Sequence, residues 1–375
     1  MFHVKLETPP GLAYLDAALA DADAHDLLRH RPRPIRGDER SFCSNDYLAL
    51  ATRPAPQRHS GAGASRLIAG ERSEHVDLET EIARFVRLPE ALAFTSGYAA
   101  NVGLIAALAT AGDLIVSDAL NHASLIDGAR LSRATIDVTP HLDISAVAAA
   151  LARRPSGRAF VVTESYFSMD ADAPDLRALR GLCDASGAAL IVDEAHALGV
   201  LGPEGRGLCA AAGVQPDALI GTFGKAFGAA GAFVAGCPAL IAWLWNRARP
   251  FVFSTGLSPA VAAAAHAGVR TASTEPWRRE RVHSNAARLR AGLEAAGVPA
   301  LGFGHVVPWV VGEPAAALHA AAELSADGIP VLAIRPPAVP RGTARLRFTV
   351  SAAHAAADID DALAAVKRLV ARAEK

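Results

Sequence analysis

The chain has 375 residues, 51% of them hydrophobic, which supplies enough apolar side chain for a large core spread over two or three packed domains. Its 37 basic and 38 acidic residues nearly cancel, so no global field draws it to a nucleic acid or an anionic membrane, and any anion site has to be local. Cys43, Cys183, Cys209 and Cys237 lack CxxC spacing, which argues against a disulfide framework or structural zinc and reads as four small buried hydrophobes.

The N-terminus has no basic stretch leading into an apolar one, and no later run approaches the length needed to span a bilayer, so a reducing cytoplasm is the expected compartment. Residues 12–30, with Leu12, Leu15, Leu27 and Leu28 among good helix formers, predict a helix that RPRP then stops. From Leu92 onward ALAFT, DLIVS, ATIDV, RAFVVTE, AALIVDE, DALIGTF and GAFVAG read as buried strands alternating with helices, which predicts an α/β fold with a mostly parallel sheet. After about residue 271 the pattern changes to a long charged helix, then VVPWVVG, a helix, IPVLAIR, RLRFTV and a last helix, a smaller α+β unit. The expected division is an N-terminal helix and arm over 1–48, a large α/β domain over 49–270 and a small domain over 271–375.

In TSGYAANVGL, Gly97 follows a strand and opens a helix, so the free N–H groups of that helix start suit an anion; an ordinary strand-to-helix turn reads equally well. His122 sits where a helix begins, a place that suits a cap, a core residue or a flat ring stacked on an aromatic ligand. Ser168 and Thr222 cap turns or, acting together, offer hydroxyls to a phosphate or phenolic oxygen. Asp193 and His196, at the end of AALIVDEAH, lie where the carboxyl ends of parallel strands line a ligand crevice. Lys225 follows the strand DALIG among Gly221, Gly224 and Gly228, and a lysine desolvated there is an amine nucleophile. A nucleotide loop GxxxxGK[ST] is excluded, because Leu219 stands where glycine is needed and Ala226 where a hydroxyl is needed. Beside such a lysine, Asp193 suits a pyridinium nitrogen that must stay protonated. Arg335 and Arg347 flank strands of the small domain, and a guanidinium fork suits a carboxylate.

With these residues and the stretches SFCSNDYLAL, NHASLIDGA, ESYFSMDAD, IVDEAHALGVLGPEGRG and AIRPPAVPRGTARLR in order, the chain resembles the α-oxoamine synthases, a family of fold-type I pyridoxal-phosphate enzymes. The resemblance runs from about Leu12 to the last helix and implies the aspartate-aminotransferase-like fold with pyridoxal 5'-phosphate as cofactor. It implies that Lys225 forms the Schiff base and moves protons, that Asp193 pairs with the pyridine nitrogen and that His196 bonds the ring hydroxyl oxygen. His122 would stack on the ring, Thr222 and the backbone at Gly97 and Tyr98 would bind phosphate, and Ser168 would line the pocket. Arg347 matches the arginine that takes the amino-acid carboxylate, and Arg29 and Arg335 match substrate-binding positions.

The resemblance further implies a homodimer with active sites at the interface, where Ser254 and Thr255 reach the partner's phosphate. The RPPAVPRGTARLR stretch is most similar to the branch that condenses L-alanine with a pimeloyl thioester, carried by CoA or an acyl-carrier protein. Two departures stand out: Ala338 replaces an expected threonine after the two prolines, and GAGASRLIAG carries less glycine and serine than that branch. A sister synthase, an aminotransferase and a non-catalytic relative of the same fold are the competing readings.

Overall fold

A computed structural model describes residues 14–29, 41–53, 59–154 and 157–373. Chain order gives α1 (Tyr14–Ala24), α2 (Ser73–Val86), β1 (Glu90–Phe94), α3 (Gly97–Leu108), β2 (Leu114–Asp118), α4 (Ala123–Ser132), β3 (Thr135–Thr139) and α5 (Ile144–Ala152). There follow β4 (Ala159–Glu164), α6 (Leu176–Ser186), β5 (Ala189–Asp193), α7 (Gly207–Ala212), β6 (Ala218–Thr222), β7 (Ala232–Gly236), α8 (Pro238–Arg247) and α9 (Arg249–Val252). The rest is α10 (Pro259–Thr274), α11 (Trp277–Ala295), β8 (Val306–Gly312), α12 (Pro314–Ala326), β9 (Leu332–Ile334), β10 (Ala344–Thr349) and α13 (Ala356–Ala373).

All seven strand expectations are met, and they form one sheet in the order β1-β7-β6-β5-β4-β2-β3. Only β7 runs against its neighbours, pairing antiparallel with both β1 and β6. Strands β2, β4 and β7 are buried at every residue, as apolar runs covered by helices on both faces must be. Within this sheet the edge strand β3 alone is largely open, and its Asp137 pairs at 2.9 Å with Arg153, the residue that caps the end of α5. Helices start and stop where local chemistry dictates. Asp175 accepts the N–H of Ala178 to begin α6, and Gly187 ends it in the left-handed region.

The register of the parallel strands positions the site. Glu164 lies opposite Asp193 across β4 and β5, and Asp193 lies opposite Ile220 across β5 and β6. Cross-strand partners sit about 4.8 Å apart and face the same side, so the two acids at the ends of neighbouring strands meet. Gly228 closes the turn after Lys225 with φ +64, and a Cβ there would lie 2.4 Å from the backbone carbon of Leu50, so the lysine loop can press against the 41–53 segment.

The second sheet is antiparallel, in the order β8-β10-β9, with a core shared among α11, α12 and α13. The segment 41–53 joins both cores: Phe42 belongs to the small-sheet cluster, whereas Tyr47, Leu48 and Leu50 belong to the large one. Its backbone is tied down by Phe42 N–H to the Pro330 oxygen at 3.1 Å and by Thr349 N–H to the Phe42 oxygen at 2.9 Å.

The structure corrects several boundaries. Among the described residues the first helix spans Tyr14–Ala24, and Leu27 and Leu28 follow it as irregular chain, while Leu12 and the RPRP stop lie outside the described residues. The expected strand IPVLAIR shrinks to Leu332–Ile334, because Ile329 and Val331 turn into the core before β9 pairs with β10. The charged helix begins at Trp277 behind Pro276, and α10 ends separately at Thr274. Of the four cysteines, Cys183 and Cys209 are buried, whereas Cys43 is half-buried and Cys237 is exposed. Among the described residues no helix is long and apolar enough to cross a membrane, and no cluster of metal-ligating side chains occurs.

Candidate active site

The site gathers at the carboxyl ends of β4, β5 and β6. Lys225 is desolvated there, which lowers its ammonium pKa to about 8, with Asp193 and Glu164 opposing the shift and Arg347 adding to it. Glu164 is pushed up to about 8, first by burial and then by the charge of Asp193, and Lys225 partly offsets this. The Asp193 carboxylate accepts the N–H of Ala195 at 2.8 Å and the Asn101 amide at 2.8 Å, which equips it to face a cation.

His122 caps α4, and its own N–H donates to Glu164 Oε1 at 2.8 Å. Protein packed around the imidazole disfavours its charged form, with Lys225 acting the same way and Asp193 against it. His196 is buried and held well below the ordinary histidine pKa by desolvation and the nearby Lys225. Its Nδ1 lies 2.7 Å from Tyr47 Oη, and burial raises that phenol to about 12.

At the start of α3, Ser96 Oγ accepts the Ala99 N–H at 3.1 Å and the Ser96 carbonyl accepts from Ala100. The N–H groups of Gly97 and Tyr98 are left as the uncommitted donors of the first turn among the described residues. Gly97 adjoins Thr222, since a Cβ at Gly97 would stand 4.0 Å from the Thr222 Cβ. The Thr222 hydroxyl donates to the Gly231 carbonyl at 3.0 Å and accepts from Gly224 N–H at 3.1 Å, so serving an anion requires its hydrogen to leave Gly231. The Tyr98 side chain is exposed and donates to Asp127 Oδ2 at 2.6 Å.

Arg345 and Arg347, two residues apart on β10 and so on one face, both grip the loop after β4. Arg345 Nη1 donates to Met169 O at 2.8 Å and to Asp170 Oδ1 at 2.6 Å. Arg347 Nε donates to the Ser168 carbonyl at 2.7 Å and Nη1 to Asn45 Oδ1 at 3.1 Å, while its buried Nη2 has no partner among the described residues. Ser168 therefore enters through its carbonyl. Arg335 is turned away from this group and donates to the carbonyls of Asp26 and Leu28. Arg29 is exposed beside Leu28. Ser254 Oγ donates to the Pro250 carbonyl at 2.7 Å, and Thr255 is exposed.

Sequence reasoning did not single out Glu164, Asn45, Tyr47 or Arg345. Glu164 had a usable signal, since RAFVVTE ends in an acid as AALIVDE does; Asn45 and Tyr47 reach the site only through the tertiary path of their segment.

This donor set fits pyridoxal phosphate: a desolvated amine, a carboxylate held as an acceptor, and a helix start with free N–H groups beside a hydroxyl. The sequence pattern of the family "Aminotransferase class I and II" matches residues 38–366. The chain is 44% identical to 8-amino-7-oxononanoate synthase of Paracidovorax citrulli over 385 residues, covering 94% of this chain and 92% of that one. Its fold is similar to serine palmitoyltransferase of S. paucimobilis, solved with bound pyridoxal phosphate and myriocin, at TM-score 0.88 and 28% identity, covering 98% and 99% of the two chains. It is also similar to 8-amino-7-oxononanoate synthase of Francisella tularensis, at TM-score 0.76 and 26% identity over 91% and 100%. The chain belongs to the class I and II aminotransferase family, among its pyridoxal-phosphate-dependent α-oxoamine synthases.

Proposed function

We propose that this chain condenses L-alanine with a pimeloyl thioester, releasing CO2 and the thiol and giving 8-amino-7-oxononanoate for biotin synthesis. The observation that carries the reading is the 44% identity to a synthase of that name over nearly the whole of both chains. Bound pyridoxal phosphate supplies an electron sink for the bonds at the amino-acid α-carbon.

In this reading Lys225 carries the cofactor and then moves the α-proton, work for which an amine shifted to about 8 is suited near neutral pH. Asp193 would keep a proton on the pyridine nitrogen through its carboxylate, which the Ala195 N–H and the Asn101 amide hold in place. His196 would bond the ring hydroxyl oxygen, and His122 would stack on the ring. The N–H groups of Gly97 and Tyr98, with Thr222, hold the phosphate. Arg347 orients the alanine carboxylate through Nη2, which has no partner among the described residues. Arg335 and Arg29 belong to the acyl-donor side, and Ser168 positions Arg347. The division at residues 48 and 270, a cytoplasmic location and a homodimer are part of the same proposal.

A second reading, serine as amino acid and a longer acyl chain, is favoured by the TM-score of 0.88 to serine palmitoyltransferase against 0.76 for the Francisella synthase. Backbone likeness does not select a substrate. Mass spectrometry of the product from alanine with pimeloyl-CoA, against serine with palmitoyl-CoA, decides between them. An amino ketone carrying the pimeloyl chain supports the first reading, and an oxo acid from alanine alone points to transamination. Lys225→Ala should abolish the product and the borohydride-reducible link to the protein.

A further inference from the structure

We propose that Asp193 sets the tautomer of His122 through Asn101 and Ser124, so that the imidazole presents a protonated Nε2. The three bonds involved are Asn101 Nδ2 to Asp193 Oδ2 at 2.8 Å, Asn101 Nδ2 to Ser124 Oγ at 2.8 Å, and Ser124 Oγ to His122 Nδ1 at 2.7 Å. The first two steps have one allowed direction, and the backbone N–H of Ser124 selects that of the third. A carboxylate accepts only, so the amide of Asn101 must turn its nitrogen toward Asp193. The second hydrogen of that nitrogen goes to Ser124 Oγ. Having accepted it, Ser124 has its own hydrogen available for His122 Nδ1.

The Ser124 backbone supports the same direction, because its N–H, which can only donate, lies 3.2 Å from the same Nδ1. A nitrogen receiving two donors carries no hydrogen, which in a neutral imidazole places it on Nε2. Asn101 is 1% exposed and Ser124 0%, so bulk water does not compete for these bonds. Reversing the amide would set Asn101 Oδ1 against the carboxylate, two acceptors in a buried place. Oδ1 instead remains without a partner among the described residues, an arrangement that this amide orientation explains. The protein's bias toward neutral His122 agrees, since an imidazolium would place a third hydrogen between these donors.

Asn101 and Ser124 are thus positioning residues. They make His122 a hydrogen-bond donor at Nε2, whose counterpart is an oxygen of the substrate rather than a proton to be accepted. This consequence rests on the site reading above, whereas the tautomer belongs to the protein itself.

The test is multiple-bond proton–nitrogen NMR on holoenzyme labelled with ¹⁵N-histidine and free of substrate, with His122 assigned from the spectrum of His122→Gln. The expected wild-type pattern is an unprotonated Nδ1 and a protonated Nε2. In Ser124→Ala, Asn101→Ala and the near-isosteric Asp193→Asn, the single pattern should give way to a mixture of tautomers. A wild-type Nδ1 that bears the proton overturns the proposal, and so does the wild-type pattern persisting in every variant that folds, which would leave the ring set by the backbone N–H alone. Product formation is not measured, so failure of the alanine and pimeloyl reading and failure of this inference are distinguishable.

Discussion

Arg347 donates through Nε to the carbonyl oxygen of Ser168 at 2.7 Å, and Asn45 Oδ1 holds Nη1 at 3.1 Å, so the guanidinium is fixed from two sides, with Nη2 buried and without a partner among the described residues. In the proposed reading Arg347→Ala removes a charge-assisted partner of the alanine carboxylate and should weaken L-alanine binding by about 2–4 kcal/mol, about 30- to 900-fold. Arg347→Lys should recover part of this, because a point charge cannot reproduce a planar fork. Titration with L-alanine, followed by the visible absorbance of bound cofactor, checks both, and cofactor retention should barely change. Equal affinity in wild type and Arg347→Ala would remove the carboxylate role from this residue.

Glu164 and Lys225 perturb each other. The carboxylate raises the lysine pKa against the stronger lowering by burial, so Glu164→Gln should bring the Lys225 midpoint below about 8. The pH dependence of Lys225 acylation in cofactor-free protein, read by peptide mass spectrometry, measures that midpoint. An upward movement would contradict the electrostatic picture.

His141 ties two parts of the large domain together. Its Nδ1 lies 2.8 Å from Asp118 Oδ1 and its Nε2 3.1 Å from Asp172 Oδ2, and these two carboxylates outweigh burial to push it up to about 10. Because the folded value is raised, the stabilisation is complete below the unfolded value of about 6.5 and is lost as pH climbs through about 10. Urea midpoints across that window should fall more steeply for wild type than for His141→Asn. Parallel slopes would show that the clasp contributes nothing as a charge.

Glu194 follows Asp193 directly but does structural work. It is fully buried and accepts the Ser165 hydroxyl at 2.8 Å, the Leu208 N–H at 3.0 Å and the Cys209 N–H at 2.6 Å, which ties the start of α7 to the end of β5. Glu194→Ala leaves those donors buried without acceptors, at a cost of about 1–3 kcal/mol for each one unsatisfied. Chemical denaturation should show the loss. A stability within about 0.5 kcal/mol of wild type, the usual range for neutral surface changes, would show that water replaces the carboxylate.

The strands were legible along the chain, and the proposed site residues carry local signals, because each is announced by near neighbours. Apolar runs mark β1 to β7, an acid at a strand end marks Asp193, and glycines around a lysine mark Lys225. Cys237 and the ends of β9 were misread because burial and pairing depend on what packs from elsewhere. The division of labour in the pair Asp193 and Glu194 was likewise invisible, since successive strand-end residues point to opposite sides and only the packed loops reveal what each side holds. Tertiary structure alone placed Glu164 beside Asp193, through the β4–β5 register, and brought Asn45 to Arg347 across a sequence separation of 302 residues. Local preference decides whether a segment is strand or helix, but a hydrogen bond between distant side chains exists only after the cores that carry them have docked, and no short-range pattern encodes that distance.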